Sequence, residues 1–83
     1  MKSIFAFKHT TGQWVLATAL DILRGYGLIA NVDRESYPEF GALTIESTDV
    51  DALKKGRDYL TDGAFGAFFT EILKGIVVPD EKL

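Results

Sequence analysis

Neither a disulfide nor a cysteine-ligated metal can staple this chain, because its 83 residues contain no cysteine. A domain of this length buries only roughly 60% of the surface its unfolded chain exposes. Packing must therefore hold the fold unaided, or an oligomer must complete the core. The same omission, with His9 as the single histidine, leaves no thiolate nucleophile, no cysteine-built metal or iron–sulfur cluster and no second imidazole. No cofactor and no metal is expected, and enzymatic activity is not the first expectation.

Apolar residues make up 47% of the chain and charged residues 25%. That is enough Phe, Leu, Ile and Val to offset the entropy of ordering, so residues 1–83 are expected to form one folded domain. The formal net charge of −3 works against nucleic acid as a partner, since phosphate contacts call for a basic face. The longest apolar run, Trp14 to Leu20, is far shorter than the roughly 18 residues of a membrane helix. Met1-Lys2-Ser3 leads straight into a strand-like pattern with no apolar leader core, and a cytosolic setting is expected.

Residues 3–9 carry Phe5 and Phe7 on one face and Ile4 and Ala6 on the other, the mark of a central strand. Thr10 with Gln13 matches a capping box. The helix it opens presents Val15, Leu16, Ala19, Leu20, Ile22 and Leu23 as an apolar stripe, and Gly25 or Gly27 supplies its left-handed end. Leu28, Ala30 and Val32 form one face of a second strand. A polar loop over 33–39 leads to a third strand, with Leu43 and Ile45 inward and Thr44 and Glu46 outward. Thr48 is the expected N-cap of a second helix, with Val50, Leu53, Tyr59 and Leu60 toward the core. Gly56 in that helix costs about 1 kcal/mol against Ala, which predicts a close backbone approach. After Asp62-Gly63, the spacing of Phe65, Phe68, Phe69, Ile72 and Leu73 predicts a third helix. Ile76-Val77-Val78 predicts a short last strand.

The resulting order, β-α-β-β-α-α-(β), resembles the split βαβ arrangement of ferredoxin-like folds, with the second helix broken at Asp62-Gly63. The resemblance implies an α+β domain with an antiparallel sheet and helices on one face. It rests on element order alone, and such a fold serves many functions, so it transfers none.

Two groups of residues stand out. The loop at Tyr37, Pro38 and Phe40 places aromatic bulk in a polar connector, as interface anchors do. With Phe65 and Phe69, whose stripe exceeds what one small sheet covers, these residues predict a surface for another protein, a second copy of the chain, or both. The leading expectation is thus a non-enzymatic protein-binding module: an inhibitor, adaptor or accessory subunit. The alternative uses His9, Thr10, Thr11 and Gly12, a strand-to-helix corner able to bind a small ligand or anion or to serve a minimal enzyme. The lysine and the remaining glycines of a phosphate-binding loop are missing there. Asp49 and Asp51 lie two apart on a helix and share no face, so capping explains them without a metal.

Overall fold

The computed structural model describes residues 1–63 and 66–76. It is a small α+β domain of two helices and a four-stranded antiparallel sheet. The elements are β1 (Lys2–Phe7), α1 (Gln13–Gly25), β2 (Ile29–Asp33), β3 (Gly41–Glu46), α2 (Val50–Asp62), a single 3₁₀ turn (Gly66–Phe68) and β4 (Thr70–Ile76). The strands lie in the order β2-β3-β1-β4, every neighbouring pair antiparallel. β1 is thus flanked on both sides, in keeping with its two apolar faces.

Strand and helix periodicities bring one set of side chains to a common core. Phe5 and Phe7 of β1, Ala30 of β2, and Leu43 and Ile45 of β3 meet Val15, Leu16, Ala19 and Leu23 of α1 and Leu53 and Leu60 of α2, each at most 3% exposed. The alternate residues of the strands, among them Ile4, Ala6, Thr44 and Glu46, belong to the opposite face of the sheet. Two glycines do specific work. Gly27 follows α1 with φ +86°, a backbone conformation that side chains resist. Gly56 lets α2 approach closely, because a Cβ there would run into Leu28 and press on Leu23 and Ile45.

The C-terminal third departs from the pattern-based expectation. The predicted third helix is instead the 3₁₀ turn and β4, which pairs with β1, so the order is β-α-β-β-α-β. Once paired with β3, β1 still carries unsatisfied amides and carbonyls on its other edge, and a strand there satisfies them. The β1–β4 register shifts between Lys2 and Ile4 and between Ile4 and Phe5. Such bulges break strict alternation, which is why the strand is not legible as period two. Phe65, Val77 and Val78 lie outside the described residues.

Smaller corrections follow the same logic. Phe68 is 42% exposed and Val50 60%, so neither is a core residue, while Leu20 is half-buried against the core. The Thr10–Gln13 capping box does not form. Gly12 is the N-cap of α1 and no side chain caps it, because the preceding residues close a turn in which the Thr11 amide donates to the Lys8 carbonyl at 2.9 Å. Asp49, not Thr48, caps α2, its carboxylate accepting from the amides of Asp51 and Ala52.

Candidate functional site

The site is assembled where β1 leaves the sheet. Behind Phe7 the chain turns through Lys8–Thr11 and enters α1 at Gly12, whose backbone is extended. The Trp14 ring lies against Gly12 and is 66% exposed.

The facing wall comes from the loop between β2 and β3. The Asp33 carboxylate accepts hydrogen bonds from the Glu35 amide at 2.9 Å and the Ser36 amide at 3.0 Å, an Asx turn that opens the loop. A hydrogen bond from the Ser36 side chain, followed by the Ser36 and Glu35 amides, holds this carboxyl below the usual Asp range. Arg34 then reaches across. Its two terminal nitrogens donate to the carbonyls of His9 at 3.1 Å and Thr11 at 3.2 Å. Its guanidinium stands 5.4 Å from the Phe7 ring centroid, within cation–π range. One side chain therefore ties the loop to the strand-to-helix turn. Farther along, Tyr37 and Phe40 stack with centroids 4.9 Å apart and planes 17° apart.

The 3₁₀ turn closes the third side with Ala67 and Phe68. Together these walls enclose a cleft of about 470 Å³ whose lining includes Phe7, Thr10, Thr11, Gly12, Phe40 and Phe68. Lys8 and Glu39 add one charge of each sign.

The two sequence-derived sets thus converge. Thr10, Thr11 and Gly12 share the cleft with Phe40, and Tyr37 stacks on that ring. Pro38 is exposed between the two aromatics. Tyr37, 37% exposed, and Phe40 form one stacked pair. His9 is exposed and is tied in through its backbone carbonyl, which accepts from Arg34. Phe69 is 6% exposed and packs edge-on against Phe7 at 6.1 Å, so its ring belongs to the core. Phe65 lies outside the described residues.

Pattern reading missed three residues. Phe68 counts only toward the helical spacing in the sequence, whereas it sits in the 3₁₀ turn and lines the cleft. Trp14 has a signal in hindsight, a large aromatic beside the apolar stripe of α1. Arg34 has none, since its partners are backbone carbonyls 25 and 23 residues away.

Two further cations have partners away from the cleft. Arg57 of α2 pairs with Glu71 of β4, and that hydrogen bond raises its pKa further. Lys55 lies 4.6 Å over the Tyr26 ring. Among the described residues no three His, Asp or Glu side chains come together as a metal site, and no buried side-chain nitrogen or oxygen lacks a partner. No helix among them is long and apolar enough to cross a membrane. Comparison with protein-family models, with curated proteins and with solved structures finds no match to this chain.

Proposed function

We propose that this chain is a small non-enzymatic protein-binding module, of the inhibitor, adaptor or accessory-subunit kind, that grips another protein through the aromatic rim of the cleft. The observation that carries the reading is the stacked Tyr37–Phe40 pair set beside the same cleft as the half-exposed Phe68. Rigid aromatics presented around a concavity are what protein interfaces use as anchors, because little side-chain freedom is lost on binding. Arg34 supports it by holding the aromatic loop against the turn. The proposal includes a cytosolic setting. It also includes a ferredoxin-like architecture, which the order β2-β3-β1-β4 with split βαβ connections favours.

Affinity capture from native extract tests this reading, using the intact chain, Tyr37→Ser, Phe68→Ser and a remote control, Lys54→Ala. The expected result is a protein held by the intact chain and the control and lost by both aromatic variants while they keep their fold. Equal capture by all four would overturn it.

The cleft gives a second reading an observation of its own. Its 470 Å³ falls within the roughly 300–1,000 Å³ of small-molecule sites, and Thr10 and Thr11 supply hydroxyls beside apolar rings. Under this reading the chain binds a small ligand or acts as a minimal enzyme there. A metabolite that co-purifies and is displaced in Phe40→Ala would favour it.

A further inference from the structure

The outer edge of β2 takes no part in the cleft, and the strand order leaves it without a neighbouring strand among the described residues. Which of its backbone groups point outward follows from the ladder. The Met1 ammonium donates to the Ser47 carbonyl at 3.1 Å and the Ser47 amide to the Met1 carbonyl at 3.0 Å, so these two residues form a doubly bonded antiparallel pair. Such pairs recur at every second residue. Ser3–Ile45 and Phe5–Leu43 are then the next ones between β1 and β3, and Glu46, Thr44 and Ala42 turn their backbone groups toward β2. Their partners there are Ile29, Asn31 and Asp33. Ala30 and Val32 therefore direct amide and carbonyl away from the sheet.

The side chains of this stretch do nothing to discourage a further strand. Leu28-Ile29-Ala30-Asn31-Val32 carries no charge and no proline, and Ile29 is 61% exposed. An uncharged, β-prone segment on a sheet edge is a template for pairing with another chain.

The end of α1 lies across that template. Arg24 Nη2 donates to the Ala30 carbonyl at 2.8 Å, which puts the guanidinium where the amide of an added strand would have to come. Just before it, the Leu28 amide donates to the Leu23 carbonyl at 3.3 Å. Ala30 is only 2% exposed although it stands on an edge strand. Val32 is then the one residue of β2 whose two outward groups both lack a hydrogen bond among the described residues, and one residue is too few for a strand to pair with.

We infer that Arg24 is a guard: its guanidinium closes the β2 edge to strand addition, above all by β2 of a second copy. Without it the Ala30 carbonyl is freed, and Ala30 and Val32 each offer a donor and an acceptor to an incoming antiparallel strand. Every copy of the chain carries such a strand, since every copy carries the same uncharged segment. Arg24 suits the place. It stands in the last turn of α1, where a cation is favourable, and a charge at a sheet edge opposes an approaching apolar strand. This inference does not depend on the cleft, and each can fail without the other.

Amide exchange at Val32, followed as the protein is concentrated, tests it on the intact chain, Arg24→Met and Lys54→Ala. Methionine keeps an aliphatic stem and drops the guanidinium, while Lys54→Ala removes the same charge from an exposed position on α2. For the intact chain and Lys54→Ala, exchange at Val32 is expected to be independent of concentration. For Arg24→Met it is expected to slow at least tenfold between tens and hundreds of micromolar as copies pair, with a matching rise in mass by sedimentation. Arg24→Met/Val32→Pro is expected to stay as dissociated as the intact chain, because proline removes an outward amide, which an edge strand tolerates. The inference is overturned by an Arg24→Met whose Val32 exchange ignores concentration, by equal slowing in Lys54→Ala, or by association that survives the proline. Circular dichroism of each variant separates edge pairing from unfolding. Should Arg24→Met not fold, a synthetic peptide of residues 28–33 added to the intact chain decides instead. A Val32 amide that the peptide protects overturns the guard, and one that it leaves unprotected upholds it.

Discussion

Arg57 of α2 grips Glu71 of β4 through two nitrogens, Nε at 2.7 Å and Nη2 at 3.3 Å from the carboxylate oxygens. Fork-on-carboxylate geometry is the stronger form of ion pair. Here it joins the second helix to the edge strand that replaces the predicted third helix. Because both side chains are partly exposed, at 31% and 12%, solvent screens the pair. Arg57→Ala is expected to cost about 1 kcal/mol. Amide exchange should quicken first along β4, which chemical denaturation and hydrogen exchange on the same sample can report.

Gly56→Ala sets two effects against each other. Helix propensity favours alanine by about 1 kcal/mol, whereas the new methyl would collide with Leu28 and crowd Leu23 and Ile45. Overpacking of a filled core costs typically about 1–3 kcal/mol, so a net loss of stability is expected. A raised denaturation midpoint would mean that α2 can move off the sheet.

The Asp33 turn gives the aromatic loop a pH dependence. Its carboxyl is held below the ordinary value of 3.8, so the unfolded chain takes up the proton first as pH falls. The turn's contribution is present above that ordinary value and is lost as pH drops through the lower, folded one. Titration followed by the Ser36 amide resonance should show a midpoint under 3.8, with the Tyr37 and Phe40 signals shifting in the same acid window. A midpoint at or above that value would contradict the turn.

The Tyr37–Phe40 stack makes the two residues interdependent. A stacked aromatic pair contributes about 0.5–1.5 kcal/mol beyond area burial. Tyr37→Ala is therefore expected to lower stability by about 0.5–1 kcal/mol without unfolding the protein. Phe40→Ala should cost more, since Phe40 also lines the cleft. Thermal melts of both variants and of the double variant would give the coupling between them.

Much of the core was legible from period alone: Phe5, Phe7, Leu43 and Ile45 alternate, and Leu16, Ala19 and Leu23 recur at helical spacing. The close approach at Gly56 was legible too, because a mid-helix glycine needs a reason. β4 was not, since its bulged pairing removes the alternation and leaves Phe68, Phe69 and Ile72 at a helical spacing by coincidence. The cleft was legible only in halves. Thr10–Gly12 and Tyr37–Phe40 each stood out, but what joins them is Arg34 bonding to backbone carbonyls, and a carbonyl has no sequence signature.

The central claim is that the aromatic rim of the cleft is where the partner sits. Amide chemical-shift mapping of the labelled chain, titrated with the captured partner protein, tests it most directly. The account expects shifts concentrated at residues 8–12, 37–40 and 67–70, with the exposed face of α2 around Lys54 and Asp58 unmoved. Shifts centred on that α2 face, with the cleft silent, would contradict it.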